Sequence, residues 1–509
     1  MSMTGHSRLV PWLAAASLLL AAATFTLALR PGGTVFQVPL SEDGYYAMAI
    51  ARNIAEGHGV TIDGVTPTNG FQPLFTFLQA GLFALAGGSD ALGVRLILGL
   101  HWLLQIGTAL LVGLIARDAV AGGPARLRRA LATFLYLAGT VLFLHHYNGL
   151  ETGCLLFLVA LAWRQVQAGG AESWGGLALL GLLLGLLALT RIDTGVLIAC
   201  LCLRELWIRR DRGWATALGR AVLLGLLALL FSSPWWIYNW VGFGSPMPIS
   251  GQAQQGWGLE ALRWRWLGWA LGTGIMPWLF LGQYEAPWLD WLRLPFYLGG
   301  AWLVLRLLRG ERAAAGAPAR TASFARALAA ALLLLALWYV LSFFAFWFYS
   351  RYLVPVALLG IVALAIAAAP RLARRPGPAR AAGLLLVVPV ATLVALAWQG
   401  RGLYGTILFT QQLALVQRAV PPGELVAAGQ SGTLGFFRQG VVNMDGKVNP
   451  EVHRWAGHPW DYLAQRDIRW FVDWPYYVEK SLGPDPAAHG WRPVDREGQF
   501  ILYRRDGGG

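Results

Sequence analysis

The chain has 509 residues, of which 56% are hydrophobic and only 13% charged, and this is too apolar for a soluble protein. Its formal charge of +14 does not point to nucleic acid, because the basic residues are mostly arginines in short loops between apolar runs. Such clusters mark the cytoplasmic loops of a polytopic membrane protein, since Lys/Arg bias in short loops sets orientation.

The first apolar run, 11–29, follows Arg8 and is long for a signal-peptide core, so it is expected to stay as a membrane helix. Spans are predicted near 10–29, 92–116, 130–147, 151–168, 174–189, 193–208, 220–240, 291–308, 324–346, 352–369 and 381–398. Between the first two lies an outer loop, 30–91, containing SEDGYYAMAIARNIAEGHGVTIDGVTPTNGFQPL. Ser41 is suited to cap a helix, residues 42–56 have amphipathic spacing, and Gly57 and Gly59 supply a stop. Glu42 and Asp43 then share the first turn at the membrane surface, where carboxylates can stay ionised. Acids in a first turn often do no more than complement the helix dipole. Here the neighbours argue for a site as well. Tyr45 and Tyr46 add amphipathic rings, and Asn53 shares the helix face of Tyr46. His58, Asp63, Thr68, Asn69 and Gln72 place sugar-compatible donors and acceptors in a turn-rich loop. Residues 71–88 are apolar but short, with Pro73 inside, and read as an interfacial helix.

Further along, arginine clusters at 117–129, 204–220, 306–320 and 371–380 fall on one side of the alternating spans. HHYNGLET, TRID, VGFGSPMPISGQ and FYSRYLVP fall on the other side, with the first loop. A Trp-rich outer stretch, 241–290, reads as an aromatic belt at headgroup level. Cys154, Cys200 and Cys202 lie in apolar runs with no CxxC pattern and behave as small hydrophobes. His58, His145 and His146 form no HExxH or tightly spaced His/carboxylate set, so no metal site is assigned, and assistance by a divalent cation stays open. From about 400 apolar runs shorten and strand-like pieces appear (ELVAAG, GVVNMDG, IRWFVD, QFILYRR), predicting a small α/β domain. The expected organisation is a membrane domain over 1–399 and an extracytoplasmic domain over 400–509 that shapes acceptor access rather than performing chemistry.

The stretch SEDGYYAMAIARNIAEGHG followed by TPTNGFQPL resembles the first outer loop of the GT-C superfamily of membrane glycosyltransferases. HHYNGLETG at 145–153, LTRIDTG at 189–195, PWWIYNWVGFGSPMPISG at 234–251, SRYLVP at 350–355 and VVNMDGKVN at 441–449 extend the likeness along the chain. The resemblance implies a mainly α membrane bundle of about 11 spans with a small α/β tail. It also implies inverting transfer of a sugar from a polyprenyl-phosphate carrier to an envelope glycan, lipid or protein. That reaction would occur on the extracytoplasmic face of a bacterial inner or plasma membrane, with a first-loop carboxylate as base. The chemistry is consistent with this, because an acceptor hydroxyl needs a base and a phosphate leaving group needs positive charge. Asp43 is the favoured base for its spacing to Gly44-Tyr45-Tyr46, while Glu42 aligns with the first acid of the family doublet. Glu151 resembles a second acidic position of such enzymes. Arg351, between Tyr349 and Tyr352 with no acid near it in sequence, is the phosphate candidate. Arg191 either pairs with Asp193 or contacts phosphate or acceptor. The rival reading is a transporter or flippase of a lipid-linked glycan, but the ionisable residues lie at span ends and no repeat is present.

Overall fold

The computed structural model describes residues 6–278, 288–310, 316–374, 409–455 and 457–505. Helices lie over each expected span except 381–398, which falls outside the described residues together with the expected domain boundary near 400. Asp90–Asp118, Trp214–Phe243, Ala317–Ser342 and Val356–Arg374 are each long and apolar enough to cross a membrane. Ala125–Leu137 and Thr140–His146 together make a fifth such run, bent by 61°. These helices make the chain an integral membrane protein. Small residues let them cross closely. Gly181 and Gly185 of Trp174–Thr190 face Leu227 and Phe231 of Trp214–Phe243, and an added Cβ would come within 2.5 Å of either side chain.

The first-loop helix forms as its sequence dictates, over Glu42–Ala55 with Ser41 as N-cap. The Ser41 hydroxyl accepts the Gly44 N–H at 3.1 Å and donates to the Asn148 carbonyl at 2.8 Å. Gly44 makes this approach possible, since a Cβ there would lie 2.2 Å from the Asn148 carbonyl oxygen. The first turn is thus wedged against the turn that joins Thr140–His146 to Thr152–Gln167, which fixes where Glu42 and Asp43 point. Pro73–Leu85 packs against Glu42–Ala55, Asp90–Asp118 and Trp174–Thr190. Its buried Gln79 donates to the Gly149 carbonyl at 2.8 Å. The Trp-rich stretch contains a helix, Ala261–Ile275, packed on Tyr349–Leu353 and Val356–Arg374.

The tail carries β1 (Val426–Ala428), β2 (Val441–Asn443), β3 (Trp470–Asp473), β4 (Trp491–Glu497) and β5 (Phe500–Arg505) in one sheet of order β2-β1-β3-β5-β4. β1 runs parallel to β2 and β3, whereas β5 is antiparallel to β3 and β4. The segment after β1, 429–433, presents five consecutive backbone N–H groups, two held within the tail and three docking it onto the first-loop helix. Those of Gly429 and Gln430 donate to Asp473 at 2.8 and 2.9 Å, and that of Ser431 to the Tyr46 hydroxyl at 2.9 Å. Those of Gly432 and Thr433 donate to Glu42, which also accepts the Thr433 hydroxyl. Apolar contact seals the same seam, with the Tyr45 and Phe436 rings 5.3 Å apart. Gly70 brings the first loop against the tail backbone, where a Cβ would lie 1.8 Å from the Lys447 carbonyl oxygen.

Burial pushes the Glu42 carboxyl up to about 7, against the pull of its Thr433 and Gly432 hydrogen bonds, and pushes Asp473 up to about 8. Two outcomes follow for docking. Gly70→Ala forces the 447–448 backbone away and should cost about 1–3 kcal/mol, read as faster proteolysis of the tail with the bundle still protected. A carboxyl whose folded value is raised contributes stability that is complete below its unfolded value of 4.5 and lost as pH rises through about 7. Hydrogen exchange of the 429–433 amides should therefore speed up from pH 4.5 to 7, after correction for intrinsic rates. Glu42→Gln should flatten that slope, leaving only the part due to Asp473.

Candidate active site

Asp43 sits one residue from Glu42 yet in the opposite environment. Its Oδ2 is 3.1 Å from Arg351 Nη1 and its Oδ1 is 3.9 Å from Lys447 Nζ, with the carboxylate 19% exposed. Burial alone would raise this carboxyl, but Lys447 and then Arg351 outweigh it and hold Asp43 below the usual carboxylate range. Lys447 is itself steadied by Asp445 at 3.3 Å. Two cavities meet at this cluster, both lined by Asp43, Leu150, Arg351 and Lys447. The smaller, of about 90 Å³, also reaches Tyr46, Gln72, Glu151 and Gln254. The larger, of about 750 Å³, is walled by Trp347, Phe348, Phe409, Trp474, Tyr476 and Tyr477, with Ser41, His145 and Gln430 among its polar groups.

Arg351 lies on the short helix Tyr349–Leu353, just before Val356–Arg374. Its guanidinium is 4.7 Å from the Phe348 ring centroid and 5.2 Å from that of Tyr352. Nε has no hydrogen-bond partner among the described residues, so donor capacity remains beside Asp43. Tyr352 is held by stacking on Tyr339 at 4.9 Å and donates to Gln254 at 3.3 Å. Behind it, Arg191 lies 4.4 Å from the Tyr352 ring centroid. Arg191 pairs with Glu151 at 2.9 Å and with Asp193 at 2.5 Å, and Tyr339 donates to that same Asp193. This buried triad braces Tyr352, and through it the floor under Arg351. It satisfies the Arg191 charge within the protein, as an ion pair out of water must be satisfied.

The structure thus brings Asp43, Tyr46, Glu151 and Arg351 together at the cavities, with Tyr352 and then Arg191 behind Arg351. Glu42 borders the larger cavity, but its carboxylate is turned onto the tail loop. The Tyr45 hydroxyl donates to the Phe36 carbonyl, and its ring is fully buried. Asn53 donates to the carbonyls of Thr61 and Ile62, both at 3.0 Å, tying the loop to the helix. Asn69 accepts the Ile249 N–H at 3.2 Å. His58 is exposed, 3.4 Å from Glu56. None of these last four lines either cavity. Lys447 is a residue at both cavities that sequence reading did not single out, and it comes from the tail, which that reading assigned to acceptor access alone. Its stretch, VVNMDGKVN, stands out in the tail, but only the fold shows that this loop reaches Asp43. Gln254, Gln430 and the tail aromatics were missed for the same reason.

No family model matches the chain, and no curated protein matches it. Solved structures do match across nearly its whole length. The crystal structure of ArnT from Cupriavidus metallidurans in the apo state aligns at a TM-score of 0.57 and 13% identity, covering 96% of each chain. The same protein bound to undecaprenyl phosphate aligns at 0.54 and 14%, covering 99% of this chain and 98% of that one. The Archaeoglobus fulgidus oligosaccharyltransferase, tethered to an acceptor peptide with an NVT sequon, aligns at 0.54 and 14%, covering 95% of this chain and 72% of that one. At such identities the likeness is one of architecture. The chain thus shares its fold, from the helical bundle to the α/β tail, with these solved structures of ArnT and of the archaeal oligosaccharyltransferase.

Proposed function

We propose that this protein is an inverting glycosyltransferase that moves a sugar from a polyprenyl-phosphate carrier to an envelope glycan, lipid or protein, with Asp43 as general base. The observation that carries this reading is the carboxylate flanked by two cations where two cavities meet. In the reaction, the acceptor oxygen bonds to the anomeric carbon as its proton passes to an Asp43 oxygen. The anomeric carbon–oxygen bond to phosphate breaks on the opposite face, and its electron pair stays on the phosphate. Arg351 and Lys447 receive that charge, Arg351 with a planar fork suited to phosphate oxygens. The lipid-phosphate complex of ArnT, and its fold shared with this chain, support the choice of carrier.

A carboxylate neutralised by two cations is a poor base, and this shapes the cycle. A bound phosphate competes for Arg351 and Lys447, loosens their hold on Asp43 and so raises its proton affinity. The base is therefore strengthened only when the leaving group is in place. Glu42, whose carboxylate is occupied by the tail, has the structural part. The about eleven-span topology, with the N-terminus in the cytoplasm and the tail and site outside, follows from the arginine loops. It is part of the same proposal.

The direct test is release of polyprenyl phosphate from polyprenyl-phosphate sugars by the purified protein in nanodiscs, read by mass spectrometry. Transport of an intact lipid-linked glycan, with no release, would overturn the reading. Asp43→Asn should lower kcat by about 10² to 10⁴ while the donor still binds. Undiminished turnover in that variant would exclude Asp43 as base. Since the free enzyme holds Asp43 low and the donor releases it, the acid limb of kcat should lie at higher pH than that of kcat/KM. Lys447→Ala and Arg351→Ala should each raise donor KM with little change in acceptor affinity, and Arg351→Lys should recover only part of the loss. An unchanged donor KM would leave these cations as supports of the fold.

A further inference from the structure

A separate cavity, of about 640 Å³, lies far from Asp43, between the helices His6–Phe25, Asp90–Asp118 and Ala125–Leu137. Its distance follows from helix geometry. Asp90, at one end of the 29-residue helix, pairs with Arg52 of the first-loop helix, and Arg117 lies at the other end, roughly 40 Å away at 1.5 Å per residue. Away from its arginines the walls are mostly apolar, with Ala14, Leu18 and Leu110 along the groove and Ser17 and Thr133 among them. Leu18 and Leu110 stand exposed on the outside of the bundle, so the groove opens sideways to the surrounding lipid rather than to water.

One end of this groove is closed by Arg117, Arg126 and Arg129. Arg117 is engaged by Asp118 at 2.6 Å. Arg126 and Arg129 are exposed and have no acidic partner among the described residues. They are presented by an ordered turn, because buried Arg128 between them donates to the carbonyls of Arg117, Val120 and Gly122, each at 2.9 Å. An apolar slot that ends at two exposed arginines with no acidic partner among the described residues complements an amphiphile with an anionic head. We propose that this groove binds one anionic glycerophospholipid, with an acyl chain between the first, second and third of these helices and its phosphate on Arg126 and Arg129. Basic pockets between membrane helices bind anionic headgroups by the same balance of charge and apolar contact. Neither residue takes part in the chemistry at Asp43, so the site stands or falls separately from the transferase reading.

The experiment places the full-length protein in nanodiscs of equimolar phosphatidylcholine and phosphatidylglycerol and counts retained lipids by native mass spectrometry. Wild type should keep phosphatidylglycerol in preference to phosphatidylcholine. Arg126→Ala with Arg129→Ala should cut that preference roughly 10- to 30-fold. The double lysine variant, which keeps the charge, should preserve it and controls for folding. Ala14→Phe narrows the slot without touching either cation, and should reduce retention of both lipids. Equal preference in wild type and the double alanine variant would overturn the site. So would full retention in Ala14→Phe, because the chain would then lie elsewhere. Displacement by inorganic phosphate as effective as by phosphatidylglycerol would reduce the site to a simple anion pocket and also overturn the lipid assignment.

Discussion

The placement of the candidate site depends on one buried carboxylate. Glu42 leaves the first-loop helix, enters the tail loop and accepts the Gly432 and Thr433 N–H groups and the Thr433 hydroxyl. Removing a carboxylate from water is costly unless donors replace its solvation. The loop supplies three, and Asp473 and Tyr46 take the three N–H groups that precede them. The seam therefore has a set register, since a slip of one residue would leave donors and a charge buried without partners. With the register set, the turn after β2 falls beside Asp43 and delivers Lys447.

Two adjacent acids on one helix turn thus do different work because their surroundings differ. One faces backbone donors in a dry seam and is pushed toward neutrality; the other faces two cations at the mouth of a cavity and is kept ionised. Pairs of titratable groups driven apart in this way are the ordinary signature of divided roles. The helix geometry accounts for the division, because successive side chains on a helix turn point about 100° apart and cannot enter the same space.

Local features were legible in the sequence. The Ser41 cap, the helix stop at Gly57 and the positions of most of the long helices follow from spacing and propensity alone, and the structure has them. Arg351 could be picked out because no acid lay near it in sequence, and the fold gives it an acid from the first loop instead. What the sequence could not show is pairing across the length of the chain. Nothing in the pattern around Glu42 indicates a tail loop as its partner, and nothing around Lys447 indicates Asp43. Asn53 and Asn69 illustrate a related ambiguity. Polar residues in a turn-rich loop can face a ligand or satisfy the loop's own backbone, and composition is the same in both cases. Here both are engaged with backbone groups.

The position of Lys447 also has a consequence for biogenesis. Chains are made from the N-terminus, and domains form in that order during synthesis. The bundle with Asp43 and Arg351 can be in place while the β1–β5 sheet is still to come, and at that stage the carboxylate has one cation beside it, not two. The large cavity likewise lacks the wall formed by Trp474, Tyr476 and Tyr477. The two-cation setting of Asp43 thus waits on the β1–β5 sheet, and a copy in the bilayer whose tail is not yet made would hold the carboxylate beside Arg351 alone.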